Sequence, residues 1–177
     1  MADKKVRGVV LDAYFKAIKK HWGELGVKEC EEYIGIRYKD IKERIWYPAE
    51  YHAKIHRWIG DRAGAKYVAI AGSFSIKNMG FLSYLARFIS IKTLLKKAPR
   101  SFEDAYNFGT MEVEVDEEKK EALAKLKDVV IDKYSCYGWK GVFEGGLEAT
   151  KTGGKVEIIE DHPDKGEKDC FMKISWK

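Results

Sequence analysis

The sequence predicts an α+β fold, with N-terminal helices packed on a small antiparallel sheet formed by the C-terminal half. Apolar residues recur at helical spacing over residues 1–109, and beyond Gly109 the period shortens to two. Helices come first and strands gather late, an order that argues against alternating βαβ units.

Each element has its own signal. Val9, Val10, Tyr14, Ile18 and Trp22 line one face of a helix over Val6–Trp22, and a second helix is expected over Val27–Ile41. Pro48 suits a first helical turn, opening a third helix through Ile59 with Tyr51, Ile55, Trp58 and Ile59 along one side. Tyr67–Ile91 is the most apolar stretch, and Gly72 and Gly80 divide it into broken or closely packed helices. Pro99 is expected to open a short helix through Tyr106. Met111, Val113 and Val115 then alternate with Glu112 and Glu114 as a half-buried strand, followed by a polar turn over Asp116–Lys120. The β-branched run Val129–Tyr134 reads as a second strand and the glycine-rich segment Tyr137–Thr150 as a helix. Gly153-Gly154 marks a turn before strands over Val156–Glu160 and Phe171–Trp176.

With 177 residues, no internal repeat and no linker-like stretch, the chain is expected to be one domain over 1–177, helical to about 109 and sheet-forming beyond. A content of 45% hydrophobic and 13% aromatic residues excludes a wholly disordered chain. No apolar run is long enough to span a bilayer, and the start, Met1-Ala2-Asp3-Lys4-Lys5, shows no apolar signal core, so a cytoplasmic location is expected. Three cysteines are too few for a disulfide scaffold and suit a reducing compartment. Lys and Arg exceed Asp and Glu by 33 to 28, and the charges are interspersed, so nucleic acid is not an expected partner. The absence of Gln, the two Asn and the 34% charged residues suit a heat-adapted protein rich in surface ion pairs.

The common enzyme signatures are missing: no phosphate-binding loop, no dinucleotide fingerprint, no serine elbow. His52 and His56 share a helix face at i, i+4, but Ala53 stands where a zinc protease carries its glutamate. They read more simply as histidines on the exposed side of that helix. Cys136 lies at a strand-to-helix junction, and His162 and Cys170 flank Gly166 at equal distances. A hairpin there would face the last two across the turn, giving a Cys₂His set for zinc, against the plainer reading of two half-buried cysteines and an exposed histidine. Phe74, Phe81, Tyr84 and Phe88 run at roughly helical spacing beside two glycines. They either fill a core or, with Trp139, line an apolar pocket for a hydrophobic small molecule, where Arg87 or Arg100 would hold an acidic head.

The segment Cys136-Tyr-Gly-Trp-Lys-Gly-Val-Phe-Glu-Gly-Gly-Leu-Glu-Ala149 resembles the cysteine-to-glycine helix of the 4-vinyl reductase domain family. His162-x-x-x-Gly166-x-x-x-Cys170-Phe171 resembles that family's terminal cysteine hairpin, with Phe171 one place early. Tyr47-Pro48 at a helix start and the order of broken helix, Pro99 helix and strand are similar to the related haem-NO-binding and vesicle-tethering groups. The resemblance implies a homodimeric domain that binds an apolar small molecule between helices and sheet, senses rather than catalyses, and passes its signal to a partner protein. It matches Cys136 and Cys170 to family cysteines and puts His162 where another cysteine is usual, which leaves zinc open. The Tyr-x-Ser-x-Arg pattern of the haem sensors is absent, so haem is disfavoured. A metal- or thiol-dependent reductase acting on tetrapyrroles or hydrocarbons, and a protein-interaction module, are the alternative readings.

Overall fold

Strand β1 (Lys5–Arg7) leads directly into helix α1 (Gly8–Ile34), and β2 (Trp46–Pro48) leads directly into α2 (Ala49–Ala63). The two short strands pair antiparallel, Lys5 opposite Pro48 and Arg7 opposite Trp46, so they clamp the starts of both helices together. The computed structural model describes residues 3–77, 89–160 and 168–177. Its further elements are α3 (Ala65–Lys77), α4 (Ile91–Ala105), β3 (Thr110–Asp116), β4 (Glu121–Lys127), α5 (Ser135–Ala149), β5 (Gly154–Glu160) and β6 (Cys170–Trp176). Strands β3–β6 form one antiparallel sheet in the order β3-β4-β6-β5, the α+β architecture expected from the sequence.

The two helices expected before residue 42 are the two halves of α1, separated by a kink at Gly23, and the second ends at Ile34 rather than Ile41. Gly23, at φ 67° and ψ −165°, is non-helical and breaks the run into two helical halves, and Gly35 at φ 83° stops the second in the left-handed conformation, its N–H bonded to the Glu31 carbonyl. Helix α2 buries Ala49, His52, Ala53, Ile55, His56, Ile59 and Gly60. Helix α4 starts earlier than Pro99: the Ser90 side chain accepts the Thr93 N–H at 3.2 Å and caps it. Pro99 sits inside, and the buried stripe Ile91, Leu95, Phe102 and Ala105 on both sides of it outweighs the lost backbone bond, a penalty of about 3 kcal/mol.

The second strand of the sheet is β4, not Val129–Tyr134. Its sequence, Glu-Ala-Leu-Ala-Lys-Leu-Lys, has no β-branched residue, yet Ala122, Ala124 and Leu126 alternate inward against β3 and β6. The β-branched run cannot extend the ladder, because Asp128 has φ 55° and Asp132 folds back to accept the Tyr134 N–H at 2.6 Å.

Two cores result. One joins α1–α3 around Leu11, Phe15, Ile18, Ile55 and Ile59. The other lies between the sheet and helices α4 and α5, around Leu126, Met172, Ile174, Phe102 and Phe143. Helix α5 links them by packing directly on α3: Gly72 meets the Gly138 carbonyl, Gly141 meets the Ala69 carbonyl, and a Cβ at Gly145 would lie 2.7 Å from the Ser73 carbonyl oxygen. The glycines that make α5 a weak helix in isolation permit this close approach.

Candidate functional site

Where the two cores meet, the helices leave a cavity of about 120 Å³. Its wall takes Val10 and Tyr14 from α1, His52 and His56 from α2, Ser75 and Ile76 from α3, and Leu94, Leu95, Ala98, Phe102 and Ala105 from α4. Tyr106 and Met111 close it on the sheet side, and Gly138, Trp139, Val142 and Phe143 of α5 form the remaining wall. Among the described residues no Lys, Arg, Asp or Glu lines it.

The amphipathic stripe of α2 carries both histidines into this wall. His52 and His56 are 4% and 2% exposed, which corrects the expectation that they lie on the outer side of the helix. The sequence held the signal: 49, 52, 53, 56, 59 and 60 make one helical face, and the two histidines fall inside it.

His56 is held at both ring nitrogens. Nδ1 lies 3.0 Å from Asp132 Oδ2 and Nε2 lies 2.9 Å from the Tyr14 hydroxyl. An ionised carboxylate only accepts, so Nδ1 carries the proton, and in the neutral ring Nε2 accepts the Tyr14 O–H. Asp132 also accepts the Ser135 hydroxyl at 3.1 Å. Burial acts to raise the Asp132 carboxyl, but His56 and the hydrogen bonds from Tyr134 and Ser135 outweigh it and hold the group below its ordinary value. Burial, with Tyr106 and Asp132 nearby, raises the Tyr14 phenol well above its ordinary range, so it stays protonated.

His52 differs. Among the described residues neither of its ring nitrogens has a hydrogen-bond partner. Its ring packs edge-on to Tyr14 at 4.8 Å between centroids and lies 4.2 Å from His56. Burial first, and His56 second, push its pKa well below 6.5, so it is a neutral imidazole at pH 7. A buried polar group left without partners costs free energy, which marks it as a group that something else satisfies.

Of the residues expected to bind ligand, Trp139 is in the cavity wall, 8% exposed, with its ring 5.0 Å from Tyr106 and 5.5 Å from Phe102. Phe74 packs elsewhere, on the first core beside His21 and under Lys20. Phe81, Tyr84, Arg87, Phe88 and His162 lie outside the described residues. Arg100 is on the exposed side of α4. Sequence reasoning singled out His52 but placed it outside, and it missed Tyr14 and Tyr106 as wall residues; their placement needs α1, α2 and the α4–β3 junction brought together.

The zinc set is corrected. Cys136, in the first turn of α5, and Cys170, at the start of β6, are joined in a disulfide with Cα atoms 5.6 Å apart. Both sulfurs are therefore used, and among the described residues no group of three His, Cys, Asp or Glu is placed to hold a metal. The bond also revises the expectation of three reduced cysteines; Cys30 alone is free, buried, with its thiol raised to about 12 by burial and then by Glu31. The disulfide closes a loop of 34 residues. Reduction, or a Cys136→Ser/Cys170→Ser double variant, is expected to cost about 3 kcal/mol of stability, read as a lower urea midpoint with a somewhat steeper slope as the unfolded chain loses its cross-link.

Among the described residues no helix is long and apolar enough to cross a membrane. Neither a family model nor a curated protein matches this sequence. The fold does have solved counterparts. An oxygen-binding H-NOX domain related to soluble guanylate cyclases superposes with a TM-score of 0.73 at 16% identity, covering 97% of this chain and 95% of that one. An H-NOX protein from S. oneidensis in the Fe(II)NO ligation state gives 0.75 at 11% identity, covering 97% and 99%. A T. tengcongensis H-NOX mutant gives 0.73 at 16%, covering 97% and 97%. The expectation that disfavoured haem is overturned: the neighbours also include a structure from a study of heme distortion in the H-NOX family, with a TM-score of 0.73 at 16% identity, so the missing Tyr-x-Ser-x-Arg pattern does not exclude the group. At these identities the likeness is one of fold, and the fold is that of the H-NOX domains.

Proposed function

We propose that this chain is a small-molecule-binding sensor domain whose ligand occupies the apolar cavity between the two cores, and that it is not a catalyst. The observation that carries this reading is His52, a neutral imidazole with two nitrogens unpartnered among the described residues, in the wall of a cavity lined mostly by apolar and aromatic side chains. Residues 1–177 act as one ligand-binding unit in this reading. The likeness of the C-terminal third to 4-vinyl reductase domains, a homodimeric, heat-adapted state in the cytoplasm and a signalling partner protein belong to the same proposal.

Haem is a candidate ligand. The neighbours' names carry it, and the donor type is present, because a neutral histidine is a common axial ligand of haem iron. His52 would be the residue to hold the iron, with Tyr14 and Trp139 flanking it in the wall. Bound haem would supply a metal centre for a diatomic gas. Its macrocycle needs more room than 120 Å³, so it would enter only with the cavity opened.

Native mass spectrometry of the protein as purified, followed by titration with hemin, tests the proposal. Excess non-covalent mass, or uptake of one equivalent of hemin with a Soret band that His52→Ala shifts or abolishes, is the expected result. A protein that carries no ligand, takes up no hemin and admits no apolar probe would instead be an interaction module with a filled core.

A further inference from the structure

The chemistry of the cavity wall restricts the ligand further, provided the cavity is the ligand site as proposed above. Among the described residues the wall holds no charged side chain, so a carboxylate or phosphate buried there would be desolvated without a counter-charge. Of the other polar side chains in the wall, Tyr14 donates to His56, Ser75 donates to the Gly72 carbonyl at 2.7 Å, and Ser135 bonds to Asp132, while Ser101 lies on the exposed side of α4 and Tyr106 keeps its phenol in the wall. His52, 4% exposed and without a partner at either nitrogen, has its full hydrogen-bonding capacity unused. A neutral imidazole offers one donor and one acceptor, and a hydroxyl group, which both donates and accepts, satisfies it whichever nitrogen carries the proton. Size sets the other limit. At about 120 Å³ the cavity is close to the 150 Å³ of an engineered cavity that holds benzene, so the molecule is of one ring's dimensions.

We infer that the cavity binds an uncharged, hydroxyl-bearing molecule of about one aromatic ring in size, and that His52 is the residue that recognises its hydroxyl. The rings of Tyr14, Phe102, Tyr106 and Trp139 enclose the apolar body, and Tyr106, 6.2 Å from His52 between centroids, adds a second phenol to the same wall. Recognition of this kind selects strongly, because an isostere lacking the hydroxyl leaves the imidazole unpaired in the complex.

The test compares two isosteres, benzyl alcohol and ethylbenzene, by isothermal titration calorimetry on the full chain, after native mass spectrometry has shown what the purified protein carries. Benzyl alcohol is expected to bind wild-type protein roughly tenfold more tightly than ethylbenzene after correction for their different transfer from water. The preference should disappear in His52→Phe and persist in His52→Gln, which keeps a donor and an acceptor. Should His52→Phe not fold, the wild-type preference and its persistence in His52→Gln carry the comparison. Binding of ethylbenzene as tight as that of benzyl alcohol overturns the role of His52 while leaving the cavity as a ligand site. A tetrapyrrole held in the purified protein overturns the ligand class and keeps the site. Failure of both probes to bind an otherwise empty cavity overturns the site itself.

Discussion

Gly141→Ala is expected to abolish stable folding, or to cost at least about 3 kcal/mol where the protein survives. The added Cβ would overlap the carbonyl oxygen, carbonyl carbon and Cα of Ala69. These are backbone atoms of α3, fixed by its helical hydrogen bonds, so relief requires α3 and α5 to separate and the two cores to part along the seam between them. Gly146→Ala provides the contrast. Its Cβ would meet the end of the Leu94 side chain at 3.1 Å, which can turn aside, while alanine improves helix propensity by about 1 kcal/mol. Urea denaturation of the two variants side by side checks the argument, and similar midpoints would show that the α3–α5 contact is looser than described.

Asp132→Ala is the second large effect, an expected loss of about 4 kcal/mol. The carboxylate and the His56 ring are both almost fully buried, with side-chain exposures of 2% and 3%. Truncation strands the His56 Nδ1–H, removes the acceptor of the Ser135 hydroxyl, and unties the turn that starts α5. The same residue gives the protein an acid-side dependence with a definite sign. Asp132 is held below its ordinary 3.8 in the folded state, so the unfolded chain binds the proton first on acidification. Its stabilisation is complete above about pH 4 and is lost as pH falls through the folded value. Stability measured from pH 7 to pH 3 should fall in wild type and fall less steeply in Asp132→Ala; parallel curves would remove Asp132 from the acid response.

Periodicity was a good guide wherever one face of an element is buried and the rest is wet. The alternation in β3 and β6 and the succession of helices and strands follow from spacing, because side-chain direction is set locally by the backbone; on α2, spacing placed Ile55 and Ile59 inward but put the two histidines on the wrong side. Propensity was a poorer guide. Strand β4 has alanine and leucine where β-branched residues would announce a strand, and it exists because β3 and β6 supply hydrogen bonds on both sides. Val129–Tyr134 has strand-like residues and no ladder, since the polar side chains of Asp132 and Ser135 claim its backbone N–H groups. Pro99 was misleading for a similar reason: a tertiary apolar stripe carries α4 through it.

The candidate site was legible only in part. An apolar pocket between helices and sheet, with Trp139 in its wall, is close to what the chain builds. The histidines were visible as a pair, but whether a pair at i, i+4 faces water or a cavity depends on which side of α2 meets α1. The cysteines show the same limit. Their spacing admitted a metal or two free thiols, and only the approach of the α5 start to the β6 start made them a disulfide. By itself, then, the sequence determined the class of fold, most of the faces that turn inward and the absence of the common catalytic motifs, all of which rest on local geometry. The tertiary structure alone decided that His52 is buried, that Asp132, His56 and Tyr14 form one hydrogen-bonded chain, and that among the described residues His52 has no partner and the cavity wall no charge. These are relations between groups far apart in sequence, and hydrogen bonding and desolvation have no local signature until packing brings the partners together or withholds them.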